Sequence, residues 1–112
     1  MIIFGSQGGF TNESTEFRIY ENGQFEKYQT NFKVLTQLKN IDPKTSKQLF
    51  NNFSALDLEK INVQQPSNMN KYITMKEGEK EIKLLWGTDK EVPQNLNQYY
   101  KVLGQIAKQS KI

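Results

Sequence analysis

The chain of 112 residues contains no histidine and no cysteine. Without cysteine there are no disulfides, thiol nucleophiles, thiolate-ligated zinc sites or iron–sulfur clusters. Without histidine the chain lacks the side chain that most readily exchanges a proton near neutral pH and most often ligates metals. Ser-His-Asp and Cys-His arrangements are excluded with it. Carboxylate pairs, lysine and tyrosine are the catalytic groups that remain, and the composition points to a protein that is not an enzyme, with no cofactor and no metal. Arginine is almost missing too: of 15 basic residues only Arg18 is not lysine. Nucleic-acid-binding faces concentrate Arg and Lys, often with aromatics between them. Here the lysines are scattered among acids, so a net charge of +3 reads as a solubilising surface, with no nucleic-acid partner expected. No apolar run approaches the roughly 20 residues of a membrane helix, so no membrane span is expected. Met1-Ile2-Ile3-Phe4 lacks a basic n-region and a full h-region and does not form a signal peptide.

What is present is one domain, residues 1–112, long enough to bury roughly two thirds of its unfolded surface. One tryptophan, five tyrosines and seven phenylalanines punctuate a chain otherwise rich in Asn, Gln and Lys. Ile2, Ile3 and Phe4 predict a short strand, and Gly5-Ser6-Gln7-Gly8-Gly9-Phe10 a turn or bulged connection. Residues 15–20 alternate, with Thr15, Phe17 and Ile19 on one face. Asn22-Gly23 predicts a type I′ hairpin to a return strand over 24–29. Residues 32–39 fit neither period cleanly; the Val34, Thr36, Leu38 alternation favours a strand over a helix. Asp42-Pro43 is a cap followed by a proline at the first helical position, predicting a helix over 43–54. Residues 55–58 then carry the chain back to the core, and 62–70 form the longest loop. A second hairpin follows, with Ile73 and Met75 on one face of its first strand and Ile82, Leu84 and Trp86 on one face of its second. Leu96, Tyr99, Tyr100, Leu103, Ile106 and Ala107 trace a helical stripe over 93–108. The expected fold is α+β: an antiparallel sheet of five to six strands with two helices packed on one face.

Few constellations carry chemistry. The glycine run at 5–9 meets Phe10 rather than Gly-Lys-Ser/Thr and precedes a strand, so neither a phosphate loop nor a dinucleotide fingerprint fits. Glu13, Glu16, Glu21 and Glu26 would make a catalytic pair only if two converged in a cleft; Glu16 beside Arg18 and Glu26 beside Lys27 read as a solvated sheet face. Glu77, Glu79, Glu81 and Asp89 lack the spacing of a calcium loop and read as a charged hairpin tip. Trp86 at a strand end reads first as a core plug and second as an interface anchor. Three surfaces remain for a partner: the Gly8-Gly9-Phe10 loop, the 64–70 loop with Gln65 and Asn68, and the rim around Trp86.

The segments Ile3-Phe4-Gly5-Ser6-Gln7-Gly8-Gly9-Phe10, Leu49-Phe50-Asn51-Asn52-Phe53 and Asn70-Lys71-Tyr72-Ile73-Thr74, with the closing helix, resemble the emfourin group of small proteins. Together with Trp86-Gly87 they also resemble small domains of uncharacterised Bacteroidetes-type lipoproteins. The first resemblance implies an inhibitor of a thermolysin-like metalloprotease. The second implies an exported bacterial domain in the periplasm or cell envelope, with its signal segment and lipid anchor upstream of Met1. A cytoplasmic location stays open beside it. The expected function is a non-catalytic protein-binding domain, a protease-inhibitor-like module being its specific form. The alternative is a carbohydrate or small-ligand binder using Tyr20, Tyr28 and Tyr72 as exposed aromatics.

Overall fold

The computed structural model describes residues 1–8, 15–29, 32–55, 64–65, 69–88 and 91–109. Six antiparallel strands and two helices form an α+β fold: β1 (Ile2–Gly8), β2 (Thr15–Ile19), β3 (Phe25–Gln29), β4 (Val34–Gln37), α1 (Pro43–Ala55), β6 (Met69–Glu77), β7 (Lys80–Gly87) and α2 (Gln94–Gln109). A two-residue segment, β5 (Gln64–Gln65), adds a short parallel contact to β7. The sheet order is β4-β3-β2-β1-β6-β7-β5, which puts β1 at the centre and β4 at one edge.

Period-2 alternation sorts side chains into rows across the strands. On the helix-bearing face, one row runs Thr36, Lys27, Phe17, Phe4, Ile73, Leu84, and the next runs Phe25, Ile19, Ile2, Met75, Ile82. Their apolar members join Leu49, Phe50 and Phe53 of α1 and Leu96, Tyr99, Leu103 and Ala107 of α2 in one core. Polar ties fix the layers. Tyr99 donates its hydroxyl to the Leu49 carbonyl at 2.8 Å, joining the helices. Tyr100 donates to the Gly5 carbonyl at 2.9 Å, joining α2 to the central strand. The fully buried Ser46 donates to the Tyr20 carbonyl, joining α1 to the β2–β3 hairpin.

The helix start follows the predicted logic: the Lys44 amide donates to Asp42 Oδ1 at 2.9 Å, with Pro43 at the first helical position. The ambiguous 32–39 segment contains strand β4. Three expectations change. Residues 5–8 are strand rather than turn, paired with β2 as far as Ser6 opposite Thr15 and with β6 through Gly8 opposite Met69. A glycine reads as a breaker in sequence, but a Cβ at Gly5 would run into the Thr15 carbonyl and lie 2.9 Å from the Tyr72 hydroxyl. The first hairpin is not type I′: only Gly23 has positive φ, at 95°, and the Gly23 amide donates to the Tyr20 carbonyl while Tyr20 and Gln24 pair. That is a type I turn closed by a left-handed glycine, the three-residue hairpin. The 62–70 loop is interrupted, because Gln64 and Gln65 pair with Leu85 and Trp86, and Asn70 is buried within β6. Residues 56–58 lie outside the described residues.

Candidate functional site

Strand β4 ends the sheet, and all four of its residues are exposed. Val34 is 45 % and Leu35 51 % exposed, and Phe32, just before the strand, is 71 % exposed. Lys33 between them adopts a left-handed φ of 51°, which turns the chain sharply into the strand. The Leu38 amide donates to the Phe25 carbonyl at 2.9 Å. By the alternation of an antiparallel ladder, Thr36 also faces β3 and the backbone N–H and C=O groups of Leu35 and Gln37 face outward. An exposed apolar edge with outward polar groups is a template for another strand. Lys33 and Lys39 flank it, and no acid lies within it.

The edge continues onto the helix-free face. A row there runs Leu35, Tyr28, Glu16, Gly5, Tyr72, Leu85, and a second runs Gln37, Glu26, Arg18, Ile3, Thr74, Lys83. Arg18 Nε donates to Glu16 Oε2 at 2.8 Å, and its guanidinium lies 5.1 Å from the Tyr28 ring centroid. Tyr72 crosses the space left by Gly5 and points its hydroxyl at Glu16 Oε1, 3.5 Å away. Burial, and then the negative charge of Glu16, push the Tyr72 phenol well above its ordinary value. The Tyr20 phenol is also raised, first by its hydrogen bond to Glu26 and then by burial. Glu26 itself is buried rather than solvated. Its position opposite Arg18 and its bond to Tyr20 replace the water that the sequence reading gave it. Tyr20, Tyr28 and Tyr72 are therefore half-buried members of a network.

No family model matches this chain, and no curated protein is a match for it. The site rests on geometry alone. Of the residues picked from sequence, Gly8 is a paired strand residue and Gln65 lies in β5. Gly9, Phe10 and Asn68, like Glu13 and Asp89, lie outside the described residues. The Trp86 side chain is 1 % exposed and packs edge-on against Tyr100, so it is a core plug whose ring no partner reaches. Among the described residues no three acidic side chains gather as a metal site, and no helix is long and apolar enough to cross a membrane. One surface groove of about 370 Å³ lies beside α2 and another of about 310 Å³ at the β2–β3 hairpin, and among the described residues no carboxylate lines either. The β4 edge was missed at the sequence level because edge position is a property of sheet order. The one available signal was a strand with apolar residues on both faces, Val34 beside Leu35.

Proposed function

We propose that this is a non-catalytic protein-binding domain that takes up an extended segment of its partner along the free edge of β4. The carrying observation is the terminal strand whose four residues are all exposed, with the side chains of Phe32, Val34 and Leu35 reaching water beside outward backbone groups. In strand addition, main-chain hydrogen bonds supply affinity and alternate side chains supply specificity. Leu35 and Tyr28 would meet one side of the incoming strand, with Arg18 behind them, and Tyr and Arg are residue types that anchor interfaces. The flanking lysines favour a partner segment with acidic ends. The resemblance to emfourins supports inhibition of a thermolysin-like metalloprotease as the specific form of this binding, and the resemblance to lipoprotein domains supports a bacterial cell-envelope location.

A photo-reactive residue at position 34, used on the envelope fraction of the source cell, tests the reading. A single cross-linked partner is expected. Leu35→Pro, which removes one outward N–H and leaves the β3 ladder intact, should abolish the cross-link. Cross-linking that survives this change means the edge is not the site. Titration against thermolysin-like proteases tests the inhibitory form.

A carbohydrate ligand has one observation in its favour. The 310 Å³ groove is lined by four amide side chains, Asn22, Gln24, Gln37 and Asn40, at the hairpin that Tyr20 enters. Amides both donate and accept, as sugar hydroxyls require. Chemical-shift changes confined to these residues on titration with sugars would favour it.

A further inference from the structure

We propose that the groove between the C-terminal half of α2 and strands β1–β3 is a second, separate site, for a small organic anion with an apolar body and one carboxylate. Its floor is aromatic. Phe4 and Phe17 stack at 5.3 Å, and Tyr100 meets Phe4 edge-on at 6.5 Å. Its volume of about 370 Å³ suits a molecule of one or two rings or a medium acyl chain. Lys27 and Lys108 line it, and among the described residues no acid does.

Two residues stand where packing alone would not put them. Lys27 occupies a core-facing sheet position, directly opposite Phe17 in the row that continues to Phe4, Ile73 and Leu84. Its neighbour on the same face, Phe25, is fully buried. A lysine there keeps its stem against the aromatic floor and its ammonium at the groove mouth. Gly104 sits inside α2, where glycine weakens a helix. It does not have a positive φ, and a Cβ at that position would meet nothing within 4 Å. Neither backbone conformation nor close packing requires glycine. Its effect is to leave the aromatic floor open below the helix. An open apolar floor with lysines beside it and no acid among the described lining residues is complementary to an amphipathic anion. The Tyr100 hydroxyl is already bonded to the Gly5 carbonyl, so the lysines and the hydroxyls of Ser6 and Thr15 are the groups left to hold a carboxylate.

The test is titration with 1-naphthoate and decanoate, followed by amide chemical shifts, with 1-naphthylmethanol as the uncharged control. At least one anion is expected to shift residues of α2 and β1–β3, and the alcohol to bind about tenfold more weakly or worse, the scale of one charge-assisted contact. Replacing both lysines, Lys27→Gln with Lys108→Gln, should bring the anion down to the affinity of the alcohol. Gly104→Leu, which fills the groove from its half-buried position on α2, should abolish binding of both. Leu35→Pro should leave anion binding unchanged, which keeps this site distinct from the β4 edge. Failure of both anions to bind overturns the proposal, as does equal affinity for anion and alcohol or binding that survives Gly104→Leu.

Discussion

At the scale of single residues, two glycines of the same composition have opposite meanings. Gly5 is required by its neighbours: a Cβ there would meet the Thr15 carbonyl and the Tyr72 ring. Gly5→Ala should destabilise the domain by about 1–3 kcal/mol, the usual range for overpacking. Urea unfolding reads the loss, and the Tyr72–Glu16 contact should be displaced with it. Gly104 has open space where a side chain would be. Gly104→Ala should stabilise by about 1 kcal/mol through helix propensity, which for a domain of this size raises Tm by about 4 °C. A stabilising change that weakens anion binding would show that the glycine is kept for the groove and not for the fold. Trp86 is the contrasting case, a large side chain with no free surface. Trp86→Ala should cost about 3–5 kcal/mol, a large share of the stability of such a domain, and should be visible as a fall in the unfolding midpoint.

At the scale of elements, β4 separates two prolines one residue apart. Leu35→Pro removes an N–H that faces outward and should leave the far-ultraviolet spectrum and unfolding midpoint close to those of the parent. Thr36→Pro removes an N–H that faces β3 and should destabilise by about 1–3 kcal/mol, the cost of a broken ladder bond with a stranded acceptor. If the two variants behave alike, the ladder phase assigned here is wrong. Which elements were legible in the sequence follows from the same local geometry. The two main hairpins and both helices announce themselves because their core residues recur at the period of the element, as in Phe17, Ile19 or Leu96, Tyr99, Leu103. The Asp42-Pro43 start was legible because a cap acts within one turn. Strand residues 5–8 were not, since the reason for Gly5 lies at Tyr72, far along the chain. Nor was β5, whose two glutamines carry no periodicity and are placed by Leu85 and Trp86. The groove was overlooked because Lys27 was read as the solvent neighbour of Glu26. Extending the Phe25 alternation by two residues puts it on the core face instead.

At the scale of the whole molecule, four of the five tyrosines have phenols pushed above their ordinary value of 10.0. Burial is the leading cause for Tyr72, Tyr99 and Tyr100, and the hydrogen bond to Glu26 for Tyr20. A raised folded value favours the protonated form, so the unfolded chain ionises first. These tyrosines contribute fully below pH 10 and progressively less above it, by up to about 1.4 kcal/mol per pH unit for each buried phenol. Thermal unfolding should therefore fall away steeply above pH 10, in step with the appearance of tyrosinate absorbance. Tyr99→Phe, which removes the ionisable group along with its bond to Leu49, should lessen the slope. The sheet order has a different consequence, for time rather than for stability. The central strand β1 is built against β2 on one side and, on the other, against β6, where Ile2 lies beside Met75. The β2–β3 and β6–β7 hairpins close over short loops on the microsecond scale, whereas the β1–β6 seam waits for the ends of most of the chain to meet. Folding should then be limited by that one seam. Mutations along it should slow refolding, while those at the tips of the hairpins should mainly speed unfolding.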